Sequence, residues 1–450
     1  MNKLLVLLLI LNLSSAFAKK AKEKDCVDPI PGGLGDVASK VATLAERQAP
    51  LSKRSYITPE EYRKFTSREL AEKLMQKIHL GCDEQRGEKT GPTIGDQSDI
   101  MMYVPSGVLD SVAKYGFQNQ HVTRTSKGCN CRENRWGQEN ILSGTLHSYG
   151  SKAKDVLPKY SALNVRNKEF YYSAGSGAAS EYGDVIFVFK EEVKKRSSWT
   201  QADSLGAGPF RGSPLVNTFG FKEKQPAKFK CGGYCETQIW GELDLSDVAY
   251  AIVNTINVPE ALKKNGIATY LKEKAESSTG IKKGTLLIAG NPSLTKRPPL
   301  DTVAPTSAVE KRVWEHQKIS KLSFIDLKTK YEKETDQESK WEILGEIILK
   351  KDPAVKEFLM GPKILNIYDS IQRNQIYVGL SQFHNDKKVV DFLFSQLEKN
   401  RDVELIKILT DDPFKKNKEL QDKIDAYLKK MFAKPEDYKP KPLCTIWDGK

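Results

Sequence analysis

The residues with the densest chemical potential run from Cys231 to Leu245: Cys-Gly-Gly-Tyr-Cys-Glu-Thr-Gln-Ile-Trp-Gly-Glu-Leu-Asp-Leu. On a strand, side chains two apart share a face. Glu236, Gln238 and Trp240 then share one face, and Thr237, Ile239 and Gly241 the other, with Ile239 as the core anchor. A carboxylate and an amide side by side, with an aromatic beyond, are unusual for a purely structural strand. The same pattern also fits a solvated edge strand, because charged side chains ordinarily lie outside.

Three further polar clusters precede this stretch. Gly116–Gly128 carries Gln120, His121 and Thr123, and is followed by Arg135, Glu139 and His147. Arg135 and Glu139 are four apart, so on a helix they also fit a surface ion pair worth roughly 0.3–0.5 kcal/mol. The run Lys159-Tyr160-Ser161-Ala162-Leu163-Asn164 leads on to Ser173, and Arg196–Ser204 ends on Asp203 and Ser204, which equally suit a turn or cap. The candidate catalytic residues are Glu236, Gln238, Arg135 and Glu139. Gln120, Thr123, His147, Asn164, Ser173, Asp203 and Ser204 are the candidate substrate-binding residues.

Several chemistries find no support. The chain has no P-loop, no His-Glu-x-x-His, no dinucleotide-binding glycine fingerprint and no Gly-x-Ser-x-Gly elbow. Five histidines in 450 residues argue against a multi-histidine metal site. Seven cysteines are present. Cys129, Cys131, Cys231 and Cys235 would suit a tetrahedral zinc site in number, but their spacing is not that of a standard ribbon. Disulfides are the preferred reading for these four, with the pairing open.

The compartment follows from the N terminus. Lys3, an apolar run from Leu4 to Leu11 and Ala16-Phe17-Ala18 read as a signal peptide over residues 1–18. The apolar run is shorter than the roughly 20 residues of a spanning helix. Cys26 is too far from the cleavage site for lipid attachment there. An exported protein, periplasmic or secreted, is expected, with no transmembrane segment after cleavage. Cleavage removes only Lys3, so the net charge becomes 13 − 1 = +12. That charge favours anionic envelope components. Basic and acidic residues interleave along the helices, and no nucleic-acid-binding signature accompanies them.

Periodicity supplies the elements that must position these residues. Residues 19–115 read as a helical N-terminal region. Thr58-Pro59-Glu60-Glu61 opens one helix, Val108 to Tyr115 forms another that ends at Gly116, and Gly81 to Asp99 is a loop. Residues 116–292 read as an α+β domain with a mainly antiparallel or mixed sheet. Its strands fall near Asp184–Phe189, Thr237–Leu243, Ala249–Val253 and Thr285–Ala289, with a helical patch over Pro259–Glu276. A Pro-rich linker spans 293–308. Residues 309–434 form an all-α module, HEAT-like or an irregular bundle, punctuated by Asp352-Pro353, Gly361-Pro362 and Asp412-Pro413. A basic tail follows over 435–450.

Tyr160-x-Ala162-Leu163-Asn164 and Glu236-x-Gln238-x-x-Gly241, with Gln120, Thr123, Arg135-Trp136, Arg196 and Trp199 in order, resemble a bacterial family of uncharacterised domains. That family carries a Tyr-Gly-Ala-Leu-Asn box and a Glu-Ala-Gln-(Ile/Val)-His-Gly strand. The resemblance covers roughly residues 116–254 and implies no activity by itself. The order of Arg135 or His147, then Ser173 or Tyr172, then Glu236 is also similar to that of ADP-ribosyltransferases. This second resemblance implies a split sheet, NAD as substrate and a protein target. Glu236 would orient the ribose hydroxyl and stabilise an oxocarbenium-like transition state. The chain departs from those enzymes in one respect: they place Glu second in a Glu/Gln-x-Glu pair, and here Glu236 comes first. The alternative expectation is a non-catalytic, disulfide-stabilised binding protein whose helical module contacts a partner.

Overall fold

The computed structural model describes residues 59–86, 98–124, 139, 150–165, 182–200, 217–219, 235–273, 283–291, 304–350, 352–361, 364, 370–400, 403–410 and 413–431. The N-terminal helices are α1 (Pro59–Lys64) and α2 (Ser67–Arg86). The sheet strands are β1 (Ser98–Val104), β2 (Lys159–Val165), β3 (Val185–Phe189), β4 (Ser197–Thr200), β5 (Asn217–Thr218), β6 (Glu236–Ile239), β7 (Val248–Val253), β8 (Thr269–Lys272) and β9 (Lys283–Ile288). Helices α3 (Leu109–Tyr115), α4 (Gln120–Thr123), α5 (Gly150–Val156) and α6 (Glu260–Lys264) lie between them in sequence. The C-terminal module holds α7 (Ala308–Ile319), α8 (Phe324–Lys333), α9 (Gln337–Leu349), α10 (Ala354–Leu359), α11 (Ser370–Ser381), α12 (Lys387–Asn400), α13 (Val403–Thr410) and α14 (Lys418–Met431). The expected α+β class with an all-α C-terminal region is therefore observed.

The strands form one mixed sheet in the order β5-β4-β6-β2-β1-β3-β7-β8-β9. All described pairings are antiparallel except β7 with β8. β3, Val-Ile-Phe-Val-Phe, is buried at every position, as an apolar run covered on both faces should be. β1 sits beside it at the centre of the sheet. It lies within the stretch 19–115 read as helical, so the sheet begins about twenty residues earlier than the sequence pattern indicated. Its apolar run Ile100-Met101-Met102-Tyr103-Val104 follows polar residues and is too short to show either period clearly. The helical patch over Pro259–Glu276 also divides: α6 is helical, whereas Thr269–Lys272 is β8, paired in parallel with β7.

One sheet face carries the larger apolar core. Ile100, Leu163, Phe187, Trp199, Ile239 and Ala251 pack there with Leu109 and Val112 of α3 and Leu262 of α6. The other face is mixed: Met101, Ile186, Val188 and Ile252 form a small apolar cluster, and the strands on the β4 side of it are polar. Trp240, just past β6, joins a different core made of α2, α5 and the helical module. Gly241 lets α2 approach: its φ is +78°, and a Cβ there would lie 2.7 Å from the Ser67 carbonyl oxygen and 2.9 Å from the Ala71 Cβ.

Charged residues join the sheet domain to the helical module. Lys154 of α5 donates to Glu342 of α9 at 2.8 Å. His316 of α7 bonds the other Glu342 carboxylate oxygen through Nδ1 and reaches Asp155 through Nε2 at 3.0 Å. Burial alone would lower the His316 pKa, but Glu342 and Asp155 outweigh it and lift it to about 10. Burial would raise the Glu342 carboxyl, but Lys154 and His316 hold it well below the usual carboxylate range. Across this junction His316 is therefore charged and Glu342 ionised at neutral pH.

A lysine at the start of β2 completes the frame. Lys159 donates to the carbonyls of Asp155 at 2.8 Å, Leu157 at 3.4 Å and Gly241 at 2.6 Å. It thereby caps the C-terminal end of α5, where a cation suits the helix dipole. Its burial pushes the ammonium down to about 8.

Candidate functional site

β6 decides where the site lies. Its residues Glu236, Thr237, Gln238 and Ile239 are all buried, and the strand is hydrogen-bonded to β2 on one side and β4 on the other. The solvated edge-strand reading is thus overturned. The expected division of faces is observed: Ile239 packs in the large core, and Glu236 and Gln238 lie side by side on the opposite face.

Buried polar groups in a strand interior need partners, and these form a directed chain. The Trp240 indole N–H donates to the Ser198 hydroxyl at 3.0 Å, and that hydroxyl donates to Gln238 Oε1 at 2.9 Å. Gln238 Nε2 then donates to Glu236 Oε1 at 2.9 Å and to the Thr200 hydroxyl at 3.3 Å. The links from Trp240, Ser198 and Gln238 pass their hydrogens towards Glu236, and Thr200 takes a side branch. Successive bonds of this kind polarise one another in a low-dielectric interior, and the result is a carboxylate held in one orientation. The ladder explains the alignment: Ser198 lies opposite Gln238, and Thr200 opposite Glu236.

The β2 side adds a second group. Tyr160 lies opposite Gln238, and Ala162 opposite Glu236. The Tyr160 hydroxyl donates to Glu139 Oε1 at 2.9 Å, and Glu139 Oε2 meets His121 Nε2 at 2.9 Å. Glu139 and His121 are both fully buried. Glu139 is therefore no member of a surface ion pair. His121 is fixed by α4, whose N-cap Asn119 accepts from the backbone N–H groups of His121 and Val122 and donates to the Lys154 carbonyl at 2.6 Å.

Position in the sheet matters as much as identity. Glu236 opens β6, Thr200 closes β4, Asn164 lies near the end of β2 and Asp99 near the start of β1, opposite Asn164. All four stand at the same end of the sheet, on the face that carries Gln238. Opposed residues on neighbouring strands bring their Cβ atoms to roughly 4.5–5.5 Å. Asn164, a candidate substrate-binding residue, thus shares the Glu236 face.

The remaining expectations divide. Gln120 and Thr123 lie on α4, which packs on α7 through Val122 and Val313. The Thr123 hydroxyl donates to the Asn119 carbonyl at 3.2 Å, and Arg312 donates to the Thr123 carbonyl at 3.1 Å. Thr123 thus belongs to a turn against the helical module, and the Gln120 carbonyl accepts from the Arg124 backbone N–H at 2.7 Å. Arg135, His147, Ser173, Asp203 and Ser204 lie outside the described residues, as do Cys129, Cys131 and Cys231. Cys235 is buried. His121, Tyr160, Ser198, Thr200 and Asp99 were not among the candidate catalytic or substrate-binding residues. Tyr160 was visible inside the Tyr-x-Ala-Leu-Asn box and Ser198 in the Arg196–Ser204 run, but only register brings them to Glu236.

The loop after β6 is held by charge. Arg196 donates to the Trp240 carbonyl at 2.8 Å and pairs with Asp247 at 3.0 Å. Arg68 of α2 pairs with Asp244 and Asp247, each at 2.9 Å. Asp244 and Asp247 also form a capping box on their own turn. Among the described residues no group of three His, Cys, Asp or Glu side chains is arranged to hold a metal ion. No described helix is long and apolar enough to cross a membrane. Comparison with known proteins finds no matching family model, no matching curated protein and no matching solved structure. The functional reading therefore rests on the residues alone.

Proposed function

We propose that the chain is an exported protein whose α+β domain acts as an ADP-ribosyltransferase-type enzyme, moving ADP-ribose from NAD to an envelope or extracellular protein target. The observation that carries this reading is the donor chain Trp240–Ser198–Gln238 ending on the Glu236 carboxylate. A fixed carboxylate at a strand end suits cleavage of a glycosidic bond. The nicotinamide–ribose C–N bond breaks, and nicotinamide leaves with the bonding pair. The target nucleophile adds to the ribose carbon and loses its proton. Glu236 orients a ribose hydroxyl and stabilises the oxocarbenium-like transition state. Gln238 is a positioning residue for Glu236, and the Tyr160–Glu139–His121 relay braces the strand next to it. Disulfides at Cys235 and its neighbours would staple the segments that enter the site in this oxidising compartment.

Calorimetry with millimolar NAD, followed by chromatographic detection of released nicotinamide, tests the proposal. Wild-type protein is expected to bind NAD and release nicotinamide, and Glu236→Gln to release it at least ~100-fold more slowly while still binding. Absence of heat and of nicotinamide for both proteins would remove the transferase reading.

A second reading is a non-catalytic binding protein whose helical module makes the contact. It is favoured by the low exposure of the strand residues, 4% for Glu236 and 0% for Gln238, which a purely structural network would also give.

A further inference from the structure

The helical module carries a groove of about 610 Å³ where the beginnings of α12 and α14 meet. Its floor is apolar, formed by Val390 and Phe394 of α12, Leu420 of α14 and the buried Phe414. Its rim carries an excess of basic residues: Lys387, Lys416 and Lys423 line it with Asp391 and Glu419, and Lys388, Lys415 and Lys418 are exposed beside them. On one wall, His384 stands edge-on to Phe414 at 6.3 Å between ring centroids, and its buried Nδ1 has no hydrogen-bond partner.

We propose that this groove receives an acidic segment of a partner protein, anchored by one aliphatic or aromatic side chain. The apolar floor would take the anchor, removing it and the floor from water. The rim lysines would meet flanking carboxylates, and His384 Nδ1 offers a polar contact beside the anchor. Two of these lysines already hold carboxylates of their own helices: Lys387 pairs with Asp391 at 2.7 Å and Lys423 with Glu419 at 2.8 Å. Exposed pairs at this spacing are worth only about 0.3–0.5 kcal/mol, so exchanging an internal carboxylate for a partner's costs little. Lys416 has no acidic partner among the described residues. The first turns of α12 and α14 add their partial positive charge, although Asp386 and Asn417 already cap them. A polyanion without apolar side chains would leave the floor uncovered, which favours a peptide over a sugar or phosphate polymer.

This inference deepens the second reading of the function, since it rests on the helical module binding a partner and not on Glu236. The test uses the full chain and three fluorescein-labelled twelve-residue peptides in polarisation titrations. One peptide combines Asp and Glu with a central Leu and Phe, one is Asp/Glu only, and one has Lys in place of every acid. The first is expected to bind at micromolar concentration, the second at least tenfold more weakly, and the third not at all. Lys387→Glu combined with Lys416→Glu, both exposed positions, is expected to weaken the first peptide at least tenfold. Equal binding of the first two peptides, no binding of the first, or unchanged affinity in the double variant would each overturn the proposal. Its failure leaves the NAD test untouched, and a negative NAD result leaves this one standing.

Discussion

Two buried polar clusters lie in one molecule and are built on opposite plans. At the junction with the helical module, Lys154, His316, Glu342 and Asp155 bring two cations to two carboxylates, and their described bonds close on one another. On the sheet, neutral donors from Trp240, Ser198 and Gln238 run in one direction and end on Glu236. A closed set of charges fixes how two bodies dock. A directed chain of neutral donors instead fixes the orientation of the one carboxylate it reaches. The contrast separates a charge-balanced cluster from a neutral, directed one, although both would look alike as buried acidic residues.

The largest expected effect comes from breaking the closed cluster. Glu342→Ala leaves Lys154 and His316 buried without their shared carboxylate, and a loss of about 3–5 kcal/mol is expected in chemical denaturation. A loss below ~1 kcal/mol would mean that Glu342 is not the shared partner of two buried cations. Next in size is Gln238→Ala in the directed cluster. It deprives Ser198 and Glu236 of their common partner, and the expected cost is about 1–3 kcal/mol by the same measurement.

The pH dependence sharpens the comparison further. The folded-state pKa of His316 is raised to about 10, so its contribution is complete below its ordinary value of 6.5 and is lost as pH climbs towards 10. That of Glu342 is depressed, so its contribution is complete above 4.5 and is lost as pH falls below that value. The junction is therefore expected to stabilise most between pH 4.5 and 6.5. The groups facing His316 are Glu342 and Asp155, with Lys154 across the shared carboxylate. Unfolding midpoints of wild type and His316→Gln, measured from pH 6.5 to 10, should converge as pH rises. Parallel curves over that range would contradict the assignment.

The smallest expected effect is Glu236→Gln, which keeps the shape of the side chain and a hydrogen-bonding oxygen facing Gln238. A stability change under ~1 kcal/mol is expected, accompanied by the loss of nicotinamide release. If the substitution instead cost as much as Glu342→Ala, the sheet cluster would be structural in the same sense as the junction.

Much of the frame was legible because short-range rules govern it. The capping box before α1, the Gly after α3 and the apolar run of β3 each announce an element from a few neighbouring residues. The pairing of Glu236 and Gln238 on one face, with Ile239 on the other, also follows from the strand repeat alone. What was not legible depends on partners far away in the chain. β1 carries too few residues to show a period, and its central place depends on pairing with β2 and β3. Glu139 read as a candidate catalytic residue or as half of a surface ion pair with Arg135, and only the fold brings His121 and Tyr160 to it.

The sequence by itself determined the α+β class, the all-α C-terminal module and which β6 side chains share a face, because alternation, capping and breakers act over a few residues. Tertiary structure alone decided that β6 lies inside the sheet, since burial and pairing come from β2 and β4, some eighty and forty residues away. It alone turned Glu236 from a candidate surface charge into a member of a donor chain, because Ser198 meets both Gln238 and Trp240 only when the ladder is in register.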